Sequence, residues 1–127
     1  MTPLVLLPGM MCDERLFAPQ ISELSKQREV HFVQISGYKT ISELAADVLN
    51  NAPPVFALAG LSMGGIVAME VLSQASERVE RLALLDTNPL AELSDVAKRR
   101  GPQIDAVRNG QLKEIIRDEM KPNYLFD

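Results

Sequence analysis

The stretch FALAGLSMGG, residues 56–65, decides the fold of this chain. Its apolar run leads into the pattern G-x-S-x-G, centred on Ser62. We interpret 55–60 as a buried strand and the residues after Ser62 as the start of a helix. A strand that turns into a helix within about one residue strains the serine backbone and leaves no room for neighbouring Cβ atoms. The pattern therefore predicts an exposed serine hydroxyl, and its alternative is a mere packing contact between small residues.

Four short apolar runs have the length and the continuous apolarity of strands that are covered on both faces, as in parallel sheets. Segments of helical period separate them, and Thr40 and Glu43 form a plausible capping box at the start of one such segment. This alternation predicts an α/β fold with three layers, α/β/α, and a mainly parallel sheet. The predicted strands are 4–7, 30–35, 55–60 and 82–86, and the predicted helices are 16–26, 40–50 and 64–75.

The pattern changes to charged helical segments without strands after the first 90 residues. We expect helices over 92–100, over 103–109 after Gly101-Pro102, and over 111–121. The predicted organisation is a core unit, 1–90, followed by a helical segment, 91–127.

Composition restricts the classes of function. The 127 residues are 46% hydrophobic, which suits one modest globular core, and the net charge of -4 offers no basic stripe for nucleic acid. Cys12 is the only cysteine, so a disulfide within the chain and a cysteine metal cluster are excluded. The first residues lack a basic segment and a long apolar core, so we predict a cytoplasmic protein with no membrane partner.

Backbone amides near Ser62 are candidates for binding a negatively charged oxygen. The first N–H groups of a helix have no partner within the helix, and Met63 would carry one of them. Gly9 permits a sharp turn after the first strand, which would leave the N–H of Met10 free as a second donor.

Three segments, LVLLPGMMCDERLF (4–17), FALAGLSMGGIVAMEVL (56–72) and ERVERLALLDTNPL (77–90), resemble successive signatures of the α/β-hydrolase superfamily, of the AB hydrolase-1 type. The chain resembles only the N-terminal portion of that fold. The resemblance implies four strands in the order 2-1-3-4 and a cap that begins in 91–127. It also implies that Ser62 is the catalytic nucleophile and that the amides of Met10 and Met63 form the oxyanion hole. Pro8 stands where many members have histidine, which leaves the backbone donor unaffected.

A general base for Ser62 is missing from the sequence. His31 is the only histidine and precedes the serine, whereas members of the superfamily carry the acid and the histidine after it. At about 3.3 Å per residue over four residues, His31 is expected roughly 13 Å from Ser62 along the sheet. Asp86 is interpreted as a turn residue rather than the acid, and Cys12 as a packing or pocket-wall residue. We therefore expect a fragment that is inactive alone and ends within the cap.

The leading hypothesis is a serine hydrolase that acts on an ester, thioester or related acyl bond of a small molecule, with no cofactor or metal. The alternative is a non-catalytic hydrolase-like module that binds a ligand or a partner. A nucleotide-binding βαβ unit fits poorly, because Ser62 occupies the place of the middle glycine of G-x-G-x-x-G. Self-association through the exposed fourth strand is a further expectation, since a long apolar edge tends to pair.

Overall fold

A computed structural model describes residues 1–125, in which strands and helices alternate as the sequence predicts. Short 3-10 turns precede α1 and β4, at Glu14–Phe17 and Ser76–Arg78. The strands are β1 (Leu4–Leu7), β2 (Val30–Phe32), β3 (Phe56–Leu61) and β4 (Val79–Leu85), and the helices are α1 (Ala18–Leu24), α2 (Ile41–Asn51), α3 (Met63–Ala75), α4 (Ser94–Arg108) and α5 (Leu112–Glu114).

The four strands form one parallel sheet in the order β2-β1-β3-β4, which confirms the predicted fold class. Leu6, Phe32, Ala59 and Ala83 stand level across the four strands. All the strands therefore end at one edge of the sheet, which we call the carboxyl edge. The loops that follow β1, β3 and β4 leave from this edge.

Alternate residues of the strands point into two separate apolar layers. Odd-numbered residues of β1 pack with α2 and α3, and even-numbered ones pack on the side of α1. This division explains the continuous apolar runs, because both faces of a central strand are covered. Buried residues of the larger layer are Val5, Leu7, Val33, Ile35, Leu44, Ala45, Val48, Phe56, Leu58, Val67, Ala68 and Val71.

The opposite, amino edge of the sheet is held by Arg78. Its guanidinium donates hydrogen bonds to the carbonyl oxygens of Ala52, Pro53 and Pro54 at 2.9–3.1 Å. The same group lies 5.7 Å from the ring centroid of Phe56, within the range of a cation–π contact. Arg78 thereby fixes the segment that joins α2 to β3.

Among residues 1–125, strand β4 lies at the end of the sheet and pairs on one side only, with β3. Leu82, Leu84 and Leu85 are 36–42% exposed. The strand begins at Val79, three residues before the predicted start. Self-association through this edge stays a prediction.

The chain divides into two units, Met1–Pro89 and the residues from Leu90 onward. The second unit differs from prediction, since α4 runs without a break through Gly101-Pro102. A proline disfavours helical backbone at the preceding residue through a clash with its Cβ, and Gly101 has no Cβ. After α5 the chain continues as a π-helical turn, Ile115–Met120, and a 3-10 turn, Lys121–Asn123, rather than one regular helix over 111–121.

Within residues 1–125, none of the helices combines the length and the apolar character that crossing a membrane requires.

Candidate active site

The sharp turn predicted around Ser62 is present between the end of β3 and the start of α3. Ser62 has φ +52° and ψ −114°, a backbone conformation that residues other than glycine rarely adopt. Its side chain is exposed and makes no capping hydrogen bond to the helix. The hydroxyl is therefore available at the carboxyl edge of the sheet.

Glycines make this turn possible. A Cβ added at Gly60 would lie 2.7 Å from the amide nitrogen of Gly65, and one added at Gly64 would lie 2.5 Å from the carbonyl oxygen of Pro8. Real Cβ atoms do not approach backbone atoms so closely, so any other residue would push α3 away from β1 and β3. The glycines thus have the packing role that the sequence indicates.

The first turn of α3 leaves backbone donors without helical partners. The N–H groups of Gly65 and Ile66 donate to the carbonyl oxygen of Ser62, at 2.9 and 3.3 Å. Those of Met63 and Gly64 come earlier and have no acceptor within the helix. The side chain of Met63 packs against the apolar layer of α2 and α3.

The loop after β1 forms a tight turn next to the end of β3. The N–H of Cys12 donates to the carbonyl oxygen of Gly9 at 3.1 Å, and Met11 has φ +59°. This hydrogen bond closes a β-turn that does not use the N–H of Met10. A Cβ at Gly9 would lie 3.3 Å from Cδ2 of Leu61, so the turn lies beside the residue that precedes the serine.

A carboxylate close to this turn is already engaged. Asp13 caps the 3-10 turn before α1, and its Oδ1 accepts the N–H of Arg15 at 3.0 Å. The hydrogen bonds from the guanidinium and the backbone of Arg15 lower the pKa of Asp13. Asp13 therefore has a local structural role as a helix cap.

The loop after β4 completes the surroundings of Ser62. The N–H of Ser62 donates to the carbonyl oxygen of Leu85 at 2.9 Å, and Asp86 follows with φ +44°. Thr87 then donates its hydroxyl to the carbonyl oxygen of Ser62 at 2.7 Å. A pocket of about 280 Å³ lies beside the serine, and its walls are Ser62, Ile66, Asp86, Thr87 and Asn88.

The sequence pattern assigns no role to Thr87. Nothing in the pattern DTNPL indicates a contact with Ser62, 25 residues earlier. The one available signal was Gly65. Glycine is unfavourable inside a helix, so its presence in α3 indicates that another part of the chain packs closely against this position. A Cβ at Gly65 would lie 2.6 Å from the Cβ and the Oγ1 of Thr87.

His31 is far from the serine. It stands level with Val5 and Leu58, so it lies two strands away from β3 and four residues short of Ser62. Four residues of strand correspond to about 13 Å. Its Nε2 lies 2.8 Å from Oε1 of Glu29, an ion-pair distance without hydrogen-bond geometry. His31 is therefore not positioned as a base for Ser62.

Cys12 lies in the β1 loop but is half-buried, and its Sγ is 3.5 Å from the carbonyl oxygen of Met10. The side-chain amide of Gln34 donates to the carbonyl oxygen of Cys12 at 2.9 Å. These contacts fit a packing role. Among residues 1–125, no three His, Cys, Asp or Glu side chains are grouped in a way that could hold a metal ion.

Comparison with known proteins identifies similar sequences and folds. Residues 2–122 match the family model of the thioesterase domain. The pimeloyl-[acyl-carrier protein] methyl ester esterase of Aliivibrio salmonicida is 33% identical over 94 residues, which are 68% of this chain and 36% of that protein. The enzyme of the same name from Yersinia enterocolitica is 30% identical over 119 residues, 87% of this chain and 46% of that protein. This chain thus spans less than half the length of these relatives.

A solved structure shows the same fold. A thermophilic esterase from Thermogutta terrifontis superposes with a TM-score of 0.79 and 24% sequence identity. The superposition covers 96% of this chain and 50% of the esterase chain. The four-stranded sheet with its helices therefore corresponds to part of an α/β-hydrolase fold.

Proposed function

Because this chain belongs to the thioesterase-domain family, we propose that Ser62 is the nucleophile of a hydrolase that cleaves an ester or thioester bond of a small acyl substrate. The observation that carries the proposal is the strained backbone of Ser62, φ +52°, at an exposed turn between β3 and α3. Strain at a residue other than glycine persists only where the surrounding structure enforces it, and such residues cluster at active sites.

In the proposed reaction, the Oγ of Ser62 attacks the carbonyl carbon of the substrate while a base removes the hydroxyl proton. The carbonyl oxygen becomes an oxyanion, and the N–H groups of Met10 and Met63 are its proposed donors. The tetrahedral intermediate then expels the alcohol or thiol, which takes up the proton, and leaves an acyl group on Ser62. Water hydrolyses this acyl-enzyme and restores the serine.

The base in this proposal comes from outside the 127 residues. His31 is the sole histidine and lies on β2, level with Leu58 rather than beyond the carboxyl edge. A serine hydroxyl is a weak nucleophile without a base. We propose that residues beyond this chain supply the histidine and the acid, and that these 127 residues alone are close to inactive.

The competing proposal is a non-catalytic module that binds a partner or a ligand. The exposed β4 edge favours it, since only one side of this strand is paired within the described residues. The two proposals differ in the chemistry they expect of Ser62. A catalytic serine gains reactivity when a base is supplied, and a serine that only shapes a turn does not.

Labelling by a fluorophosphonate, with and without added imidazole, tests the proposal on the chain as it stands. Imidazole stands in for the missing base, so we expect the rate of phosphonylation of Ser62 to rise with imidazole concentration, by up to about 100-fold, the lower end of the range for a positioned general base. Mass spectrometry of the tryptic peptides locates the label. Ser94 is the matched internal control, because it begins helix α4 with no strand before it.

The variant Ser62→Ala should lose the imidazole-dependent label, and Ser94→Ala should retain it. Equal labelling of Ser62 and Ser94 at every imidazole concentration would overturn the catalytic proposal and favour the binding module. Rapid labelling of Ser62 without imidazole would instead overturn the proposal that the base lies outside this chain.

A further inference from the structure

We propose that Thr87 is a positioning residue that aims the N–H of Met63 at the reacting oxygen, an inference that rests on the proposed role of Ser62. The hydroxyl of Thr87 donates to the carbonyl oxygen of Ser62 at 2.7 Å, although the two residues are 25 positions apart. This carbonyl and the N–H of Met63 belong to the same peptide group. Since a peptide group is planar, a partner that fixes its oxygen also fixes the direction of its N–H.

The end of β4 and the loop after it hold the backbone of Ser62 from both sides. The carbonyl oxygen of Leu85 accepts the N–H of Ser62 at 2.9 Å, and Thr87 binds the carbonyl of Ser62. The N–H groups of Gly65 and Ile66 point to the same oxygen from within α3. The strained φ of Ser62 is thus enforced by Leu85 at the end of β4 and by Thr87 in the following loop, as well as by its own helix.

Contact between Thr87 and α3 leaves little freedom for the threonine. A Cβ at Gly65 would lie 2.6 Å from Oγ1 and 2.7 Å from Cγ2 of Thr87, so both branches of the side chain lie against the helix. Asp86, with φ +44°, turns the chain immediately before this contact. The glycine and the threonine therefore fit together, and the hydroxyl is held where it meets the Ser62 carbonyl.

The hydrogen bond from Thr87 to the Ser62 carbonyl also strengthens the N–H of Met63 as a donor. Hydrogen bonds in a chain polarise one another, so a donor on the Ser62 carbonyl makes the N–H of the same peptide more acidic. Positioning and polarisation act in the same direction, toward a developing oxyanion. Ser62 itself cannot serve as that donor, because its own N–H is bound to Leu85.

Two variants separate the hydrogen bond from the packing. Thr87→Val keeps the branched shape and removes the hydroxyl, and Thr87→Ser keeps the hydroxyl and removes a methyl group. We expect Thr87→Val to shift the carbonyl ¹³C resonance of Ser62 and the amide resonances of Met63, and Thr87→Ser to leave them near their original positions. The rate of imidazole-assisted phosphonylation of Ser62 should fall about tenfold in Thr87→Val and less than about twofold in Thr87→Ser. The tenfold loss is smaller than the loss expected when an oxyanion donor is removed completely, because the Met63 N–H is misdirected but still present.

The two readouts keep this inference distinct from the proposed function. An unreactive Ser62 in the unmodified chain would defeat the proposed function, whereas the resonances of Ser62 and Met63 would still test the role of Thr87. Unchanged resonances in Thr87→Val, or equal shifts in Thr87→Ser, would overturn the inference.

A measurement on the unmodified chain serves if Thr87→Val does not fold. The 2.7 Å hydrogen bond to the carbonyl of Ser62 is expected to make the hydroxyl proton of Thr87 exchange with water more slowly than that of an unbonded hydroxyl, which NMR exchange measurements test. Exchange of the Thr87 hydroxyl at the rate of a free serine would overturn the proposed bond.

Discussion

The two edges of the sheet are built differently. Among residues 1–125, the non-glycine residues with positive φ are Met11, Ser62 and Asp86, and each one follows the carboxyl end of a strand. At the amino edge, Arg78 instead satisfies three backbone carbonyl groups with good hydrogen bonds. Strain is therefore concentrated at the carboxyl edge, and the amino edge provides stability. Such a division is expected when one edge carries the chemistry.

Two helices that start at the carboxyl edge also differ in how their first turns are stabilised. Helix α2 begins with a capping box, in which the Thr40 hydroxyl accepts the N–H of Glu43 and the carboxylate of Glu43 accepts the N–H of Thr40. Helix α3 begins at Met63, and the side chain of its N-cap residue Ser62 makes no capping hydrogen bond within residues 1–125. The hydroxyl that would stabilise the helix is left free, which is the arrangement a nucleophile needs.

The largest expected change in the free energy of unfolding comes from adding a Cβ atom where the strained turn packs against β1. In Gly64→Ala the new Cβ would lie 2.5 Å from the carbonyl oxygen of Pro8, so β1 and α3 must separate. We expect the free energy of unfolding to fall by about 3 kcal/mol or more. Urea denaturation measures it. Gly9→Ala is the control, because its Cβ would meet a movable side chain atom, Cδ2 of Leu61, at 3.3 Å, and a loss below about 1 kcal/mol is expected.

At the amino edge, Arg78→Ala removes the donor shared by three carbonyl groups. We expect the free energy of unfolding, measured by urea denaturation, to fall by about 2 kcal/mol, because partly buried carbonyl acceptors are left unpaired. Arg78→Lys should restore less than half of it, since an ammonium group cannot reproduce the planar set of donors. A stability equal to the unmodified chain in Arg78→Ala would contradict a supporting role for this edge.

Relief of the backbone strain at Ser62 should raise the free energy of unfolding, whereas the two preceding substitutions lower it. Ser62→Gly is expected to raise the free energy of unfolding by about 1 kcal/mol, because glycine adopts φ +52° without a steric penalty. Ser62→Ala keeps the Cβ and should give no such gain. The difference between the urea midpoints of Ser62→Gly and Ser62→Ala measures the energetic cost of the strained backbone at this residue. Destabilisation by Ser62→Gly relative to Ser62→Ala would show that this residue is not strained.

The smallest expected effect is the pH dependence of the capped helix start. Hydrogen bonds from the Thr40 hydroxyl, and then from the N–H groups of Lys39 and Thr40, lower the pKa of Glu43 from 4.5. The carboxylate is therefore favoured in the folded chain. Its contribution is present above pH 4.5 and is lost as the pH falls through the lowered value. The difference in unfolding free energy between the unmodified chain and Glu43→Gln should shrink on acidification, and a constant difference would contradict this account.

Local features were predictable from the sequence. The apolar runs of β1 and β3 and the glycines around Ser62 are signals within a few residues, and the helices between strands require parallel pairing. The free amide of Met63 follows from its place at a helix start. The continuous α4 differs from the prediction because a proline inside a helix usually breaks it, whereas α4 continues through Pro102.

By itself, then, the sequence determined the order of the elements, the parallel sheet and the strained serine, because each depends on short-range sterics and on hydrophobic period. Only the tertiary structure decided that Arg78 binds the carbonyl groups before β3 and that Thr87 returns to Ser62. These contacts join residues that are far apart along the chain. Their partners are chosen by where the packed sheet brings the backbone together, which no local pattern encodes.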